Sequence, residues 1–63
     1  MATYYYITIY GREKVYYTKV DSFDEALEIA ESWDSIRIQQ RRKGKSGPAK
    51  VVYEKYNGVV TTC

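Results

Sequence analysis

The sequence predicts an α+β domain: a ββαββ antiparallel sheet with one helix packed on one face. Three observations carry this. The runs 3–10, 15–20 and 49–56 are rich in β-branched and aromatic residues, and 3–10 and 35–42 split by alternation into a more apolar and a more polar face. Residues 22–33 carry apolar side chains at helical spacing instead. Turn residues punctuate the joins: Gly11-Arg12-Glu13-Lys14, Lys43-Gly44-Lys45-Ser46-Gly47-Pro48 and Asn57-Gly58.

In the first run (3–10), Tyr5, Ile7 and Ile9 form the more apolar face and Tyr4, Tyr6, Thr8 and Tyr10 the other. Residues 15–20 return as the second strand of a hairpin. If Tyr10 pairs with Val15, then Ile9 faces Tyr16 and Ile7 faces Thr18; a bulge in the turn would exchange those partners.

The helix spans 22–33. Ser22 is a good N-cap, and Glu25 three residues on completes a capping box. Asp24 and Glu25 occupy the first turn, where the helix dipole favours negative charge. Phe23, Ala26, Leu27, Ala30 and Trp33 make one apolar stripe, flanked by Ile29, with Asp24, Glu28 and Glu31 pointing outward. Ala26 and Ala30 are small enough to let the helix lie close to a sheet. Truncating Leu27 or Trp33 to Ala is expected to cost about 2–5 kcal/mol.

Along 35–42, Ile36 and Ile38 face the helix while Arg37, Gln39 and Arg41 face away. Residues 43–48 form a loop and 49–56 the fourth strand. Asn57-Gly58 is a favoured tight-hairpin dipeptide, so 59–62 is either a short fifth strand or a loose tail. A right-handed crossover from strand 2 to strand 3 gives the strand order 2-1-3-4. The helix covers one sheet face and leaves the other open.

With 63 residues, the chain is expected to be a single domain (1–63), burying about 60% of its unfolded surface. The composition argues against catalysis. There is no histidine, Cys63 is the only cysteine and the glycines form no phosphate loop. Catalytic, cofactor-binding and metal-ligating residues are therefore all expected to be absent. The start, Met1-Ala2-Thr3-Tyr4, has neither the basic nor the apolar region of a signal peptide, and no apolar run approaches a membrane span of about 20 residues. No membrane association and a cytoplasmic location are the expectations.

Three features point to binding. The first is charge segregation: residues 21–34 hold six acids and no base, and residues 35–50 hold six bases and no acid. The basic stretch, with Arg41, Arg42, Lys43 and Lys45 around its tip, suits phosphate or an acidic protein surface. The second is tyrosine, of which there are eight. Tyr4, Tyr6 and Tyr10 share the open face with Arg37, Gln39 and Arg41, and tyrosine and arginine dominate interface hot spots. The third is the pair of sheet edges, which leaves a monomer and an edge-strand homodimer both open.

The layout, with Ser22-Phe23-Asp24-Glu25-Ala26-Leu27-Glu28-Ile29-Ala30 between two strand pairs, resembles that of small phage-encoded accessory proteins, including anti-CRISPR inhibitors and other host-takeover proteins. The resemblance is architectural and spans most of the chain. It implies a stoichiometric binder that blocks a larger host protein, with the acidic helix face (Asp24, Glu28, Glu31) as a phosphate mimic or the tyrosine face as the docking surface. The alternative read from the residues is direct nucleic-acid binding through Arg37, Arg41, Arg42, Lys43 and Lys45, with bases stacked on tyrosines.

Overall fold

A computed structural model describes residues 3–42, 44 and 49–61. The elements in chain order are β1 (Thr3–Tyr10), β2 (Val15–Val20), α1 (Phe23–Glu31), β3 (Ile36–Arg42), β4 (Lys50–Tyr56) and β5 (Val59–Val60). All strands join one antiparallel sheet in the order β2-β1-β3-β4-β5. The chain order is thus ββαβββ, with a fifth strand beyond ββαββ.

The first hairpin adopts the register without a bulge: Tyr10 pairs with Val15, Ile9 with Tyr16 and Ile7 with Thr18. Its turn closes through the Gly11 N–H, which donates to the Lys14 carbonyl at 3.0 Å. A Cβ on Gly11 would lie 2.7 Å from that same carbonyl oxygen, so the closeness of the turn requires glycine here.

β1 and β3 lie side by side, with Ile7 opposite Ile38 and Ile9 opposite Ile36. These four isoleucines and the helix residues Ala26 and Ala30 form the core, in which Ile7, Ile36 and Ile38 are fully buried. Leu27 and Trp33 are only half-buried at the core's margin, together with Tyr5, Val20, Phe23, Ile29, Val52 and Tyr53. The largest truncation cost therefore moves from Leu27 and Trp33 to the sheet isoleucines. The helix presents methyl groups at its closest approach, so the sheet supplies the bulk.

The Glu25 N–H donates to Ser22 Oγ at 3.2 Å, as the capping pattern requires. The helix ends at Glu31, short of the expected 33, with Ser32 as its C-cap. Trp33 leaves the helix and sets its indole against Tyr16, with ring centroids 5.6 Å apart. The last helical turn has no basic residue of its own. A cation arrives from β4 instead: Lys55 Nζ donates to the Ala30 carbonyl at 3.1 Å, satisfying a helix-terminal acceptor and complementing the dipole.

The register between β3 and β4 shifts between Ile38 and Gln39, where Ile38 opposes Tyr53 and Gln39 opposes Val51. Val52 is the extra residue of this bulge, so Val52 and Tyr53 both pack against the core. After β4, Asn57 and Gly58 take φ of 50° and 82°, the pair of positive values that a two-residue type I′ turn needs. The turn is tied to the chain beyond the helix. Gly58 N–H donates to the Asp34 carbonyl at 2.9 Å, and Asn57 N–H to Ser35 Oγ at 3.2 Å. Those bonds, with Thr61 N–H to the Glu54 carbonyl at 2.9 Å, hold β5 as a strand.

Candidate protein-binding face

The sheet face opposite α1 takes Tyr4, Tyr6, Thr8 and Tyr10 from β1 and Arg37, Gln39 and Arg41 from β3. The pairs Tyr4–Arg41, Tyr6–Gln39 and Thr8–Arg37 place them side by side. The six residues expected to share this face, Tyr4, Tyr6, Tyr10, Arg37, Gln39 and Arg41, therefore do. The register adds three from β2, because Lys19 lies opposite Tyr6, Tyr17 opposite Thr8 and Val15 opposite Tyr10. On the other flank Glu54 lies opposite Arg37, Val51 opposite Gln39, and Tyr56 pairs with Val59.

These side chains are organised by diagonal contacts between neighbouring strands. The Arg41 guanidinium lies 4.4 Å from the Tyr6 ring centroid. The Tyr17 ring stacks on Tyr6 at 5.9 Å and 30°. Because β2 and β3 flank β1 on opposite sides, Tyr6 is held between an aromatic ring and a cation. Lys19 Nζ lies 5.8 Å from the centroid of Tyr4. Arg41 Nη2 donates to Gln39 Oε1 at 3.3 Å, and Arg37 Nε donates to Glu54 Oε2 at 2.9 Å.

The result is a rigid ladder, Tyr17–Tyr6–Arg41, running across three strands. Arg41 Nε is shielded from solvent and has no hydrogen-bond partner among the described residues. Stacking on Tyr6, together with the bond from Nη2 to Gln39, fixes the guanidinium plane in spite of that cost. Around the ladder, Tyr17 and Tyr56 are 62% and 65% exposed and Tyr10 39%. The face is a broad tyrosine surface that no element among the described residues covers.

The other expected site residues separate. Arg42 pairs with Thr3, one step out of phase with Arg41, so its side chain belongs to the helix side of the sheet. It lines a concavity at this end of the sheet, reached from both faces, with Tyr4, Lys19, Asp21 and Glu25. Arg42 is thus removed from the Arg37–Arg41 row by strand alternation. Lys43 and Lys45 lie outside the described residues. Asp24, Glu28 and Glu31 are exposed on α1, with the sheet between them and the tyrosines. The open face holds Lys19, Arg37 and Arg41 against Glu54.

Sequence reasoning did not place Tyr17, Lys19 or Tyr56 on this face. The signal for the first two was present: pairing Tyr10 with Val15 puts alternate β2 residues beside Tyr6 and Thr8. Tyr56 gave no such signal, because its face depends on the bulge at Val52.

Comparison with family models, curated proteins and solved structures finds no match to this chain. No helix among the described residues is long and apolar enough to cross a membrane, and among those residues no group of acids or cysteine is placed to hold a metal ion.

Proposed function

We propose that this is a non-catalytic binding protein whose open sheet face docks on a larger host protein and blocks it by occupying its surface. One observation carries the reading: the Tyr17–Tyr6–Arg41 ladder is pre-arranged by contacts within the fold and then left uncovered. Tyrosine offers a large contact area for few lost rotamers, and a guanidinium already fixed by stacking loses little further freedom on binding. Both favour a protein hot spot. With Arg37 neutralised by Glu54, the positive charge of the face that has no ion-pair partner among the described residues resides on Lys19 and Arg41 and fits a partner surface edged with carboxylates. The resemblance of the layout to phage-encoded inhibitors implies a blocking role.

Direct nucleic-acid binding is the second reading, motivated by the same tyrosines and arginines. The packing of the face disfavours it. Base stacking needs free ring faces, whereas Tyr6 is flanked by Tyr17 and Arg41, and Tyr4 is approached by Lys19.

Capture from a host extract on the immobilised protein separates these readings when it is run with variants. Capture is expected to be lost with Tyr6→Ala and Arg41→Ala and retained with Glu28→Lys and Glu31→Lys. The reverse pattern would move the site to the acidic helix. An electrophoretic shift of a single-stranded probe at micromolar protein in low salt, abolished by Arg41→Ala, would establish the nucleic-acid reading instead.

A further inference from the structure

We propose that β2 is a self-association edge, through which two copies join their sheets antiparallel about Tyr17. Among the described residues β2 pairs only with β1, and no other strand lies along its outer edge, Val15–Val20. Sheet proteins commonly blunt such an edge with proline, a bulge, charge or a covering segment. β2 has no proline and runs in unbroken register with β1. Its single charge, Lys19, leans back across the sheet toward Tyr4 on β1 rather than over the edge. The opposite edge differs: β5 covers the end of β4 with a strand of only two residues, and Lys50 places a charge at the far end of β4.

The geometry selects a second copy and a register. Tyr10 N–H donates to the Ser35 carbonyl, on the β3 side of β1. In an antiparallel ladder the N–H and C=O of one residue point the same way, so Tyr10 and Val15 exchange no bonds. Val15, Tyr17 and Lys19 therefore direct their amide groups outward, with no backbone partner among the described residues. Antiparallel pairing centred on Tyr17 uses all three: Tyr17 opposes Tyr17 of the second copy, and Val15 opposes its Lys19. Centring one residue to either side uses only two of them within the strand. Within Val15–Val20 no like charges face each other in the favoured register, and valine meets the aliphatic stem of lysine.

The two-fold axis then stands normal to the sheet, so the open faces of both copies become continuous. The Tyr6–Tyr17 stack extends across the seam into its symmetry mate. One strand edge is smaller than the roughly 800 Å² per partner of a standard stable interface. The association is accordingly a reversible one, seen at micromolar to millimolar protein.

Sedimentation equilibrium on the purified full chain tests this without any other partner. The wild type is expected to show a reversible monomer–dimer equilibrium. Tyr17→Lys places two ammonium groups opposite each other across the axis and should leave a monomer with unchanged circular dichroism. Val15→Glu faces Lys19 of the second copy twice per dimer and should tighten association about 2- to 30-fold, and Val15→Lys should weaken it by a similar factor. Within one molecule position 15 has no charged cross-strand partner, since it faces Tyr10, so a structural effect would not give opposite signs. A wild type that stays monomeric at millimolar concentration overturns the proposal. So does a dimer that both Val15 variants affect alike, or one that Tyr17→Lys leaves intact.

Discussion

The two faces of the central strands are built from alternate residues of the same segments, yet they obey different physics. On the helix side, Ile7, Ile36 and Ile38 are fully buried and close on Ala26 and Ala30. That side stabilises the fold through area removed from water and close packing. On the other side Tyr6, Tyr17 and Arg41 also touch, but they remain near solvent, and their contacts fix orientation more than they exclude water. The fold is held by one face, and the second takes little part in holding it. A residue's neighbour along the chain thus meets the other environment.

Substitutions can break this division. Ile38→Ala is expected to have the largest effect, about 2–5 kcal/mol of lost stability. A chain this small has little more than that to lose, so urea titration should show a strongly lowered midpoint or no folded baseline. Gly58→Ala comes next. The φ of 82° is left-handed, and a Cβ there costs about 1–2 kcal/mol; nothing lies within 4 Å of the added atom, so the loss is conformational strain alone. Thermal melting should report it, with β5 amides exchanging faster than those of β1. Ser22→Ala removes the acceptor for the Glu25 N–H and should cost about 1 kcal/mol, read from the same melts.

The smallest effect belongs to the open face. Arg37→Ala breaks the pair with Glu54, but those side chains are 42% and 38% exposed, and solvent screening leaves such a bond worth about 0.5 kcal/mol or less. If Arg37→Ala destabilised as much as Ser22→Ala, the open face would be structural after all, and the division drawn here would fail. A variant such as Arg41→Ala that loses binding while melting like the wild type would sharpen it.

Much of the fold was legible in local pattern. The alternation of Ile7 and Ile9 with Tyr6 and Thr8, and of Ile36 and Ile38 with Arg37 and Gln39, assigned both faces of the two central strands. The cap at Ser22, the strand order 2-1-3-4 and the Asn57-Gly58 turn were legible for the same reason: each is set by a few adjacent residues or by chain handedness. Trp33 misled, because its spacing continues the helical stripe while its indole packs on Tyr16 from beyond the helix end. The site was half legible. Alternation places Tyr4, Tyr6, Tyr10, Arg37, Gln39 and Arg41 on one face, whereas Arg42, which charge alone groups with Arg37 and Arg41 as a basic contact, lies on the other side of the sheet.

By itself the sequence determined which residues form strands and helix and which side of β1 and β3 each one faces, since backbone alternation and helical period are local properties of the chain. Tertiary structure alone decided the rest. It placed Lys55 on the Ala30 carbonyl, inserted Val52 as a bulge that re-aims β4, and held β5 through Asp34 and Ser35. It also brought Tyr17 and Arg41 to opposite flanks of Tyr6. Each of these joins residues distant in sequence, and their meeting depends on register and on the closeness of helix and sheet, which no short stretch of residues encodes.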